Sequence, residues 1–539
     1  MREWAKQDSS RERLRSSPPQ KDLASHYFHF TSYHRSLPYP LIMLLPLVHP
    51  ALVASFVSTL SSRQSTTALR QQPPSLDDGV YTSQGRFAHY NIQWGQTPSL
   101  LRGAFDAPAL LRDKIWPTWQ EIVDLACTGN NQEDEEEEDT FYDEDDDDDN
   151  EWFDDGSDSL PSTGHSARLI RHVPGKLDSF QAELGPFTRQ DLDHLSDNND
   201  EHWSLLMNDV DRYRPALDDW MQEQFGFLPR WRRDDAQISI APTGGGIGPH
   251  VDSYDVFLIQ TAGTREWRIQ PNRLVSVQEE MERLVPDLSV RILKPKEEGA
   301  DDVVSIHMQP GDVLYLPPRV LHWGISTSDD CVTLSVGCRA PSAQEMVARL
   351  AEGILSSVQE SATQRYAEES LSTSPTSFPS LTPSVRADMK QMVIRAVQDA
   401  LEDEASWDAL VGKLVTEPKR MAEFPALNER GDDYLDVWGS TPKRVLSRVR
   451  TRPKAFLLRT PGISFATSRI ELVDGQHVDR LYAHGEMFEV ANDALASTIF
   501  ERIEQGLPVT KNHLGDDAST ELEETLLDLI AEGVIQADC

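Results

Sequence analysis

From Ala236 to Ala340 apolar and polar residues alternate in short runs: AQISIAP, YDVFLIQ, EWRIQ, VVSIHM, DVLYLPP and CVTLSVGCRA. These runs are rich in β-branched and aromatic residues and are bounded by Gly, Pro, Asn and Asp, the pattern of strands that each bury one face. Several such strands, with a turn signal every dozen residues or so, predict a β-sandwich or barrel of the jelly-roll or cupin type. The fold class expected is α+β with a mainly β core.

On either side the period changes. Upstream, FAHYNIQWGQTPSLLRGAF from about Ala88 leads into LLRDKIWPTWQEIVDLA, a helical pattern. The segments HWSLLMNDVDRY and ALDDWMQEQFGF also read as amphipathic helices. Downstream, a helical region spans residues 342–421 and is broken by the Ser/Thr/Pro-rich STSPTSFPSLTPS. In MVARLAEGIL and MKQMVIRAVQDAL apolar positions recur at helical spacing without an evident second surface to cover them, which predicts a homodimer through this region. Residues 437–539 form a small α+β module, with strands AFLLR, RIELV and RLYAH and helices ANDALASTIFERIEQG and ELEETLLDLIAEGV. The division expected is a leader over 1–80, a core over 88–341 built on the β-rich segment with an acidic insertion at 131–160, the helical region, and the C-terminal module.

Charge changes this picture in one place. The net charge is -38 over 539 residues, and 17 acidic residues with no basic one fall between Glu133 and Asp155. Such a run repels itself and is expected to form a disordered insertion. An acidic chain attracts a basic partner, such as a ribosomal protein, and repels phosphates, so direct binding of nucleic acid is not expected. The first 75 or so residues are rich in Ser, Arg and Leu and poor in acids. Pro38, Pro40, Pro46 and Pro50 interrupt the apolar stretch Leu37–Leu60, which argues against a stable membrane span and for a cleavable targeting segment. An organelle, mitochondrion or plastid, is the expected location, with cytoplasm or nucleus as alternatives. Cys127, Cys331, Cys338 and Cys539 form no CxxC pair, which excludes a zinc knuckle or disulfide framework. Cys331 and Cys338 read as buried thiols.

The chemistry concentrates in GGGIGPHVDSYDVFLIQ, Gly244 to Gln260. His250 and Asp252 are two residues apart, so on extended chain both side chains leave the same face. PPRVLHWG supplies His322 after the strand DVLYLPP. Two imidazoles and one carboxylate make the facial set that suits non-haem Fe(II) and leaves three positions, two for a chelating 2-oxo acid and one for O2. A 2-oxoglutarate cosubstrate also needs a cation for its far carboxylate. Arg265 in QTAGTREWRI fits that need, with Arg268 as competitor. Thr333 and Ser335, on the strand after His322, could donate hydroxyl hydrogen bonds to the cosubstrate or simply pack.

RDDAQISIAPTGGGIGPHVDSYDVFLIQTAGTREWRI, GDVLYLPPRVLHWG and LSVGCRAP together resemble the JmjC-type ribosomal oxygenases of the cupin superfamily, most closely the arginine-hydroxylating branch. HWSLLMNDVDRY, FGFLPRWRRDD and RLYAHGEMFEV extend the likeness over roughly Ala88 to the C-terminus, apart from the acidic insertion. The resemblance implies a double-stranded β-helix, a helical dimerisation region and a winged-helix-like C-terminal module. It also implies Fe(II) on His250, Asp252 and His322, with 2-oxoglutarate gripped by Arg265. The activity implied is hydroxylation of a ribosomal protein side chain, arginine of a large-subunit protein first. Histidyl hydroxylation, histone demethylation or a non-catalytic scaffold are the alternatives. Trp323 departs from the family pattern, where a smaller or polar residue is expected, and bears on the substrate entrance.

Overall fold

The computed structural model describes residues 77–80, 94–127, 166–197, 201–276, 279, 285, 292–295, 303–356, 360–367, 381–418, 442–471, 475–491, 493–515 and 518–538. The expected leader up to residue 76, the acidic run Glu133–Asp155 and Cys539 lie outside them.

Twelve strands build the core: β1 (Asp77–Val80), β2 (Ser99–Arg102), β3 (Ala167–His172), β4 (Gln181–Leu184), β5 (His202–Met207), β6 (Arg233–Ala241), β7 (Asp255–Ala262), β8 (Arg265–Leu274), β9 (Val304–Met308), β10 (Val313–Leu316), β11 (Val320–Ser326) and β12 (Cys331–Cys338). Nine form one sheet in the order β1-β2-β10-β7-β12-β6-β5-β3-β4, and β11-β8-β9 form a second. The apolar alternation decides which side each residue serves. Val256 and Leu258 of the large sheet pack with Trp267 and Ile269 of the small one in a shared core. Phe257 and Ile259, pointing the other way, join Val332, Leu334 and the N-terminal helix α1 (Trp119–Cys127) in another. Polar residues of β7, β8, β11 and β12 that share the inner face are thereby enclosed between the sheets.

Two expectations are corrected. HWSLLM is strand β5, not helix, followed only by the short helix Val210–Tyr213. Ser204 to Met207 are all buried, and β5 pairs on both sides, with β3 and β6. Pairing on two edges outweighs local periodicity for a run buried on both faces. Ordered pairing also starts before Ala88: β1 lies inside the span expected as leader and runs parallel to β2. Its sequence DDGV has no run of alternating apolar residues, so pattern reading could not find this edge strand. The expected helix ALDDWMQEQFGF is present as α2 (Pro215–Gln224).

Helices α3 (Ala343–Ser356) and α4 (Pro383–Glu402) bury none of their residues, whereas α5 (Glu404–Thr416) buries Leu414 and Val415. The C-terminal module has two three-stranded sheets with α6 (Pro442–Thr451), α7 (Ala494–Glu504) and α8 (Thr520–Ala531) around its own apolar core. The strand Phe456–Arg459 ties it to the oxygenase core, where Arg459 donates to Asp218 of α2 at 2.5 Å and Arg230 donates to the same carboxylate at 3.3 Å. All three are buried. Burial alone would raise the Asp218 pKa, but the guanidiniums of Arg459, Arg230 and Arg233 bring it below the usual carboxylate value. No helix among the described residues is long and apolar enough to cross a membrane.

Candidate metal centre

His250 and His322 meet backbone to backbone in an isolated antiparallel bridge. His250 lies in the extended stretch before β7. His322 lies within β11, not after a strand as PPRVLHWG suggested, because Arg319 takes a left-handed turn (φ 66°) past Pro317–Pro318 and re-enters the small sheet. The same turn positions the carboxylate residue: the Arg319 amide donates to the Asp252 carbonyl at 2.9 Å.

The two imidazoles and the Asp252 carboxylate converge, with one potential ligand atom from each within 4.8 Å of the others. His322 Nε2 is 3.6 Å from Asp252 Oδ2. Each ring faces a backbone carbonyl through Nδ1, His250 with Gly248 at 2.8 Å and His322 with Val320 at 2.9 Å. A carbonyl only accepts, so each Nδ1 carries the proton and each Nε2 presents a lone pair, the orienting arrangement seen around metal-binding histidines. Burial, and then the neighbouring His250, lower the His322 pKa to about 4 against a weaker opposing effect of Asp252, so the ring is neutral near pH 7.

Arg265 opens β8, and its side chain is only 3% exposed. Its Nε donates to Cys331 Sγ at 3.3 Å, and its guanidinium carbon sits 5.7 Å from the Trp267 ring. Its Nη2 is buried and has no hydrogen-bond partner among the described residues. A buried charged donor left open is costly, which fits an anion arriving at that atom. Gly324 is required here: a Cβ would come within 2.9 Å of Arg265 Cδ and 3.0 Å of the Trp267 ring.

The residues therefore fit the groups implied for them. The donor set of two imidazoles and a carboxylate could hold a divalent iron with open positions, and Arg265 could take a dicarboxylate's free end. Arg268 points away, toward Glu266, to which it donates at 3.1 and 3.2 Å. Thr333 lies on the inner face but donates to Gln260 at 3.1 Å, while Ser335 further along β12 is half-buried. Sequence reasoning missed Gln260, Gly324 and the contact of Cys331 with Arg265. The alternation of β12, with Cys331, Thr333 and Ser335 on one face, was the available signal. Trp323 is half-buried, packed against the buried cluster of Val275, Leu293 and Leu321. With Arg268, Phe180 and His172 it lines a cavity of about 630 Å³ that includes none of the three converging residues.

The fold is that of a cupin, and the donor set is two histidines and one carboxylate. Residues 220–346 match the JmjC domain family. A probable ribosomal oxygenase of Haemophilus influenzae is 28% identical over 370 residues, covering 68% of this chain and 83% of that protein. The ribosomal protein uL16 3-hydroxylase of Escherichia coli is 36% identical over 189 residues, 35% of this chain and 45% of that protein. The structure of YcfD, a ribosomal oxygenase from Escherichia coli in complex with cobalt and 2-oxoglutarate, shares the fold with a TM-score of 0.54 at 21% identity, over 84% of this chain and 97% of that one. The chain thus matches the JmjC domain family over residues 220–346 and is similar in sequence to these ribosomal oxygenases.

Proposed function

We infer that this chain is an Fe(II)- and 2-oxoglutarate-dependent dioxygenase that hydroxylates a ribosomal protein. The observation that carries the reading is the pairing of a convergent His250, Asp252 and His322 set with a buried, open guanidinium on Arg265. In it, His250, Asp252 and His322 would hold the iron, and Arg265 would take the far carboxylate of 2-oxoglutarate. When bound, iron, O2 and 2-oxoglutarate supply the oxidation of an unactivated C–H bond, with succinate and CO2 as co-products.

The protein's own part is positional. The carbonyls of Gly248 and Val320 fix which imidazole nitrogen faces the metal. Trp267, buried beside His322 with ring centroids 5.8 Å apart, keeps water from that side of the centre. The enclosed space between the sheets gives Arg265 a low-dielectric setting in which its charge binds a carboxylate strongly.

The finer reading is an arginine of a basic loop in a large-subunit protein of an organellar ribosome. It is supported by likeness to the uL16 3-hydroxylase, by the strong negative charge, and by a basic, acid-poor N-terminal stretch. Opposite charge accelerates encounter with an arginine-rich chain, and salt weakens that effect. We further propose a homodimer through α3 and α4, which expose Val347, Leu355, Met389 and Val393. The decisive experiment incubates the purified protein with iron, 2-oxoglutarate and ribosomal peptides and locates oxygen gain by fragmentation mass spectrometry. Oxygen on arginine is expected. Oxygen only on histidine reassigns the target residue, and no succinate with any ribosomal substrate rejects the reading.

A further inference from the structure

We propose that Cys331 is a positioning residue whose sulfur accepts the Arg265 Nε–H and so turns the guanidinium to present Nη2 to the distal carboxylate of the 2-oxo acid. The inference rests on the 2-oxoglutarate reading above and gives a role to a side chain that reading leaves unused.

Cys331 opens β12 and is fully buried. Its sulfur accepts two hydrogen bonds, from Arg265 Nε at 3.3 Å and from Gln260 Nε2 at 3.4 Å. Gln260 is itself fixed. Its Nε2 also donates to the Ala262 carbonyl at 2.7 Å and the Val332 carbonyl at 3.2 Å, and its Oε1 accepts from Thr333 Oγ1 at 3.1 Å. Thr333, Gln260, Cys331 and Arg265 are thus one buried chain of hydrogen bonds that ends at an open Nη2. Gly324 and Trp267 confine the rest of the Arg265 side chain.

The choice of sulfur has a chemical consequence. A carboxylate at position 331 would neutralise Arg265 and compete with the incoming ligand. An apolar residue would leave Nε without a partner as well as Nη2. A thiol orients the guanidinium while leaving most of its charge for the ligand, because sulfur is a weak acceptor. Burial raises the Cys331 pKa, but the Arg265 charge and the hydrogen bonds from Arg265, Gln260 and Ser326 outweigh it and lower the pKa below the ordinary thiol value. A ligand carboxylate at Nη2 works against that lowering, so ligand binding and the thiol's proton are coupled.

The test measures binding by calorimetry on the full-length protein loaded with Mn(II). The ligands are 2-oxoglutarate and pyruvate, which keeps the 2-oxo acid end and lacks the distal carboxylate. Cys331→Ala is expected to weaken 2-oxoglutarate about tenfold and leave pyruvate unchanged, since one hydrogen bond to a charged group is lost. Cys331→Val fills the volume without an acceptor and should behave the same way, which guards against local collapse in the Ala variant. Cys331→Ser keeps an acceptor and should stay within about threefold of the parent. In an Arg265→Ala background, Cys331→Ala should add nothing. Unchanged 2-oxoglutarate affinity in both the Ala and Val variants, or an equal loss for pyruvate, overturns the proposal. A parent protein that binds no 2-oxoglutarate overturns the oxygenase reading itself, a result separate from either of those.

Discussion

His250 and His322 exchange backbone hydrogen bonds, each amide donating to the other's carbonyl at 3.0 Å. The pair is a clamp made from main chain alone, so the separation of the two backbones does not depend on either side chain. Side-chain substitution at either position should therefore leave the local path intact.

On that basis His250→Ala, Asp252→Ala and His322→Ala should each keep a parent-like circular dichroism spectrum and lose metal. Removal of one of three ligands should weaken Mn(II) binding by more than about 100-fold, more than loss of an orienting partner would. Equilibrium dialysis checks it, and parent-like affinity in any one variant removes that residue from the set.

Arg265→Ala should raise the 2-oxoglutarate requirement on the order of 100-fold while leaving the iron requirement nearly unchanged, because the lost partner is a buried charge. Steady-state titration of each separates the two. An unchanged KM for 2-oxoglutarate would move the carboxylate grip to another cation, with Lys294 the next to examine.

Val393 is 60% exposed and Leu355 86% exposed on helices that bury none of their residues. If α3 and α4 form the dimer face, Val393→Glu combined with Leu355→Glu should convert a dimer mass to a monomer mass at micromolar concentration, with 2-oxoglutarate binding retained. Light scattering reads this directly, and a parent protein that is already monomeric rejects the interface.

Burial, and then proximity to His202, bring the His172 pKa from 6.5 to about 4. Between those values the unfolded chain binds a proton that the folded chain refuses, so this residue's contribution to stability is lost as pH falls from 6.5 toward 4. Above 6.5 both states are neutral and the effect vanishes. In thermal unfolding, the parent should lose ground against His172→Phe across that window. Parallel melting curves for the two proteins would show that His172 is not neutral and buried in solution.

The strands of the β core were legible in the sequence where one face is apolar and the other is not. VSIHM and CVTLSVGC announce themselves by alternation, and the positions of His250 and Asp252 follow from a two-residue spacing that geometry makes meaningful. HWSLLM was misread because a strand paired on both edges and buried on both faces loses its alternation. The strand holding His322 was hidden by Pro317, Pro318 and Gly324, which look like loop residues until the turn at Arg319 and the pairing with β8 are known. Arg265 could be proposed from its hairpin. The Cys331–Gln260–Thr333 support behind it could not, since hydrogen bonds between side chains 71 and 73 residues apart leave no periodic trace.

The bond from Arg459 to Asp218 spans 241 residues of chain. As the polypeptide emerges during synthesis, Asp218 is made 241 residues before Arg459. Arg230 can reach it early, but a carboxylate buried with both is completed only after the strand Phe456–Arg459 has left the ribosome. A polypeptide ending before Arg459 would therefore leave that buried carboxylate short of one partner.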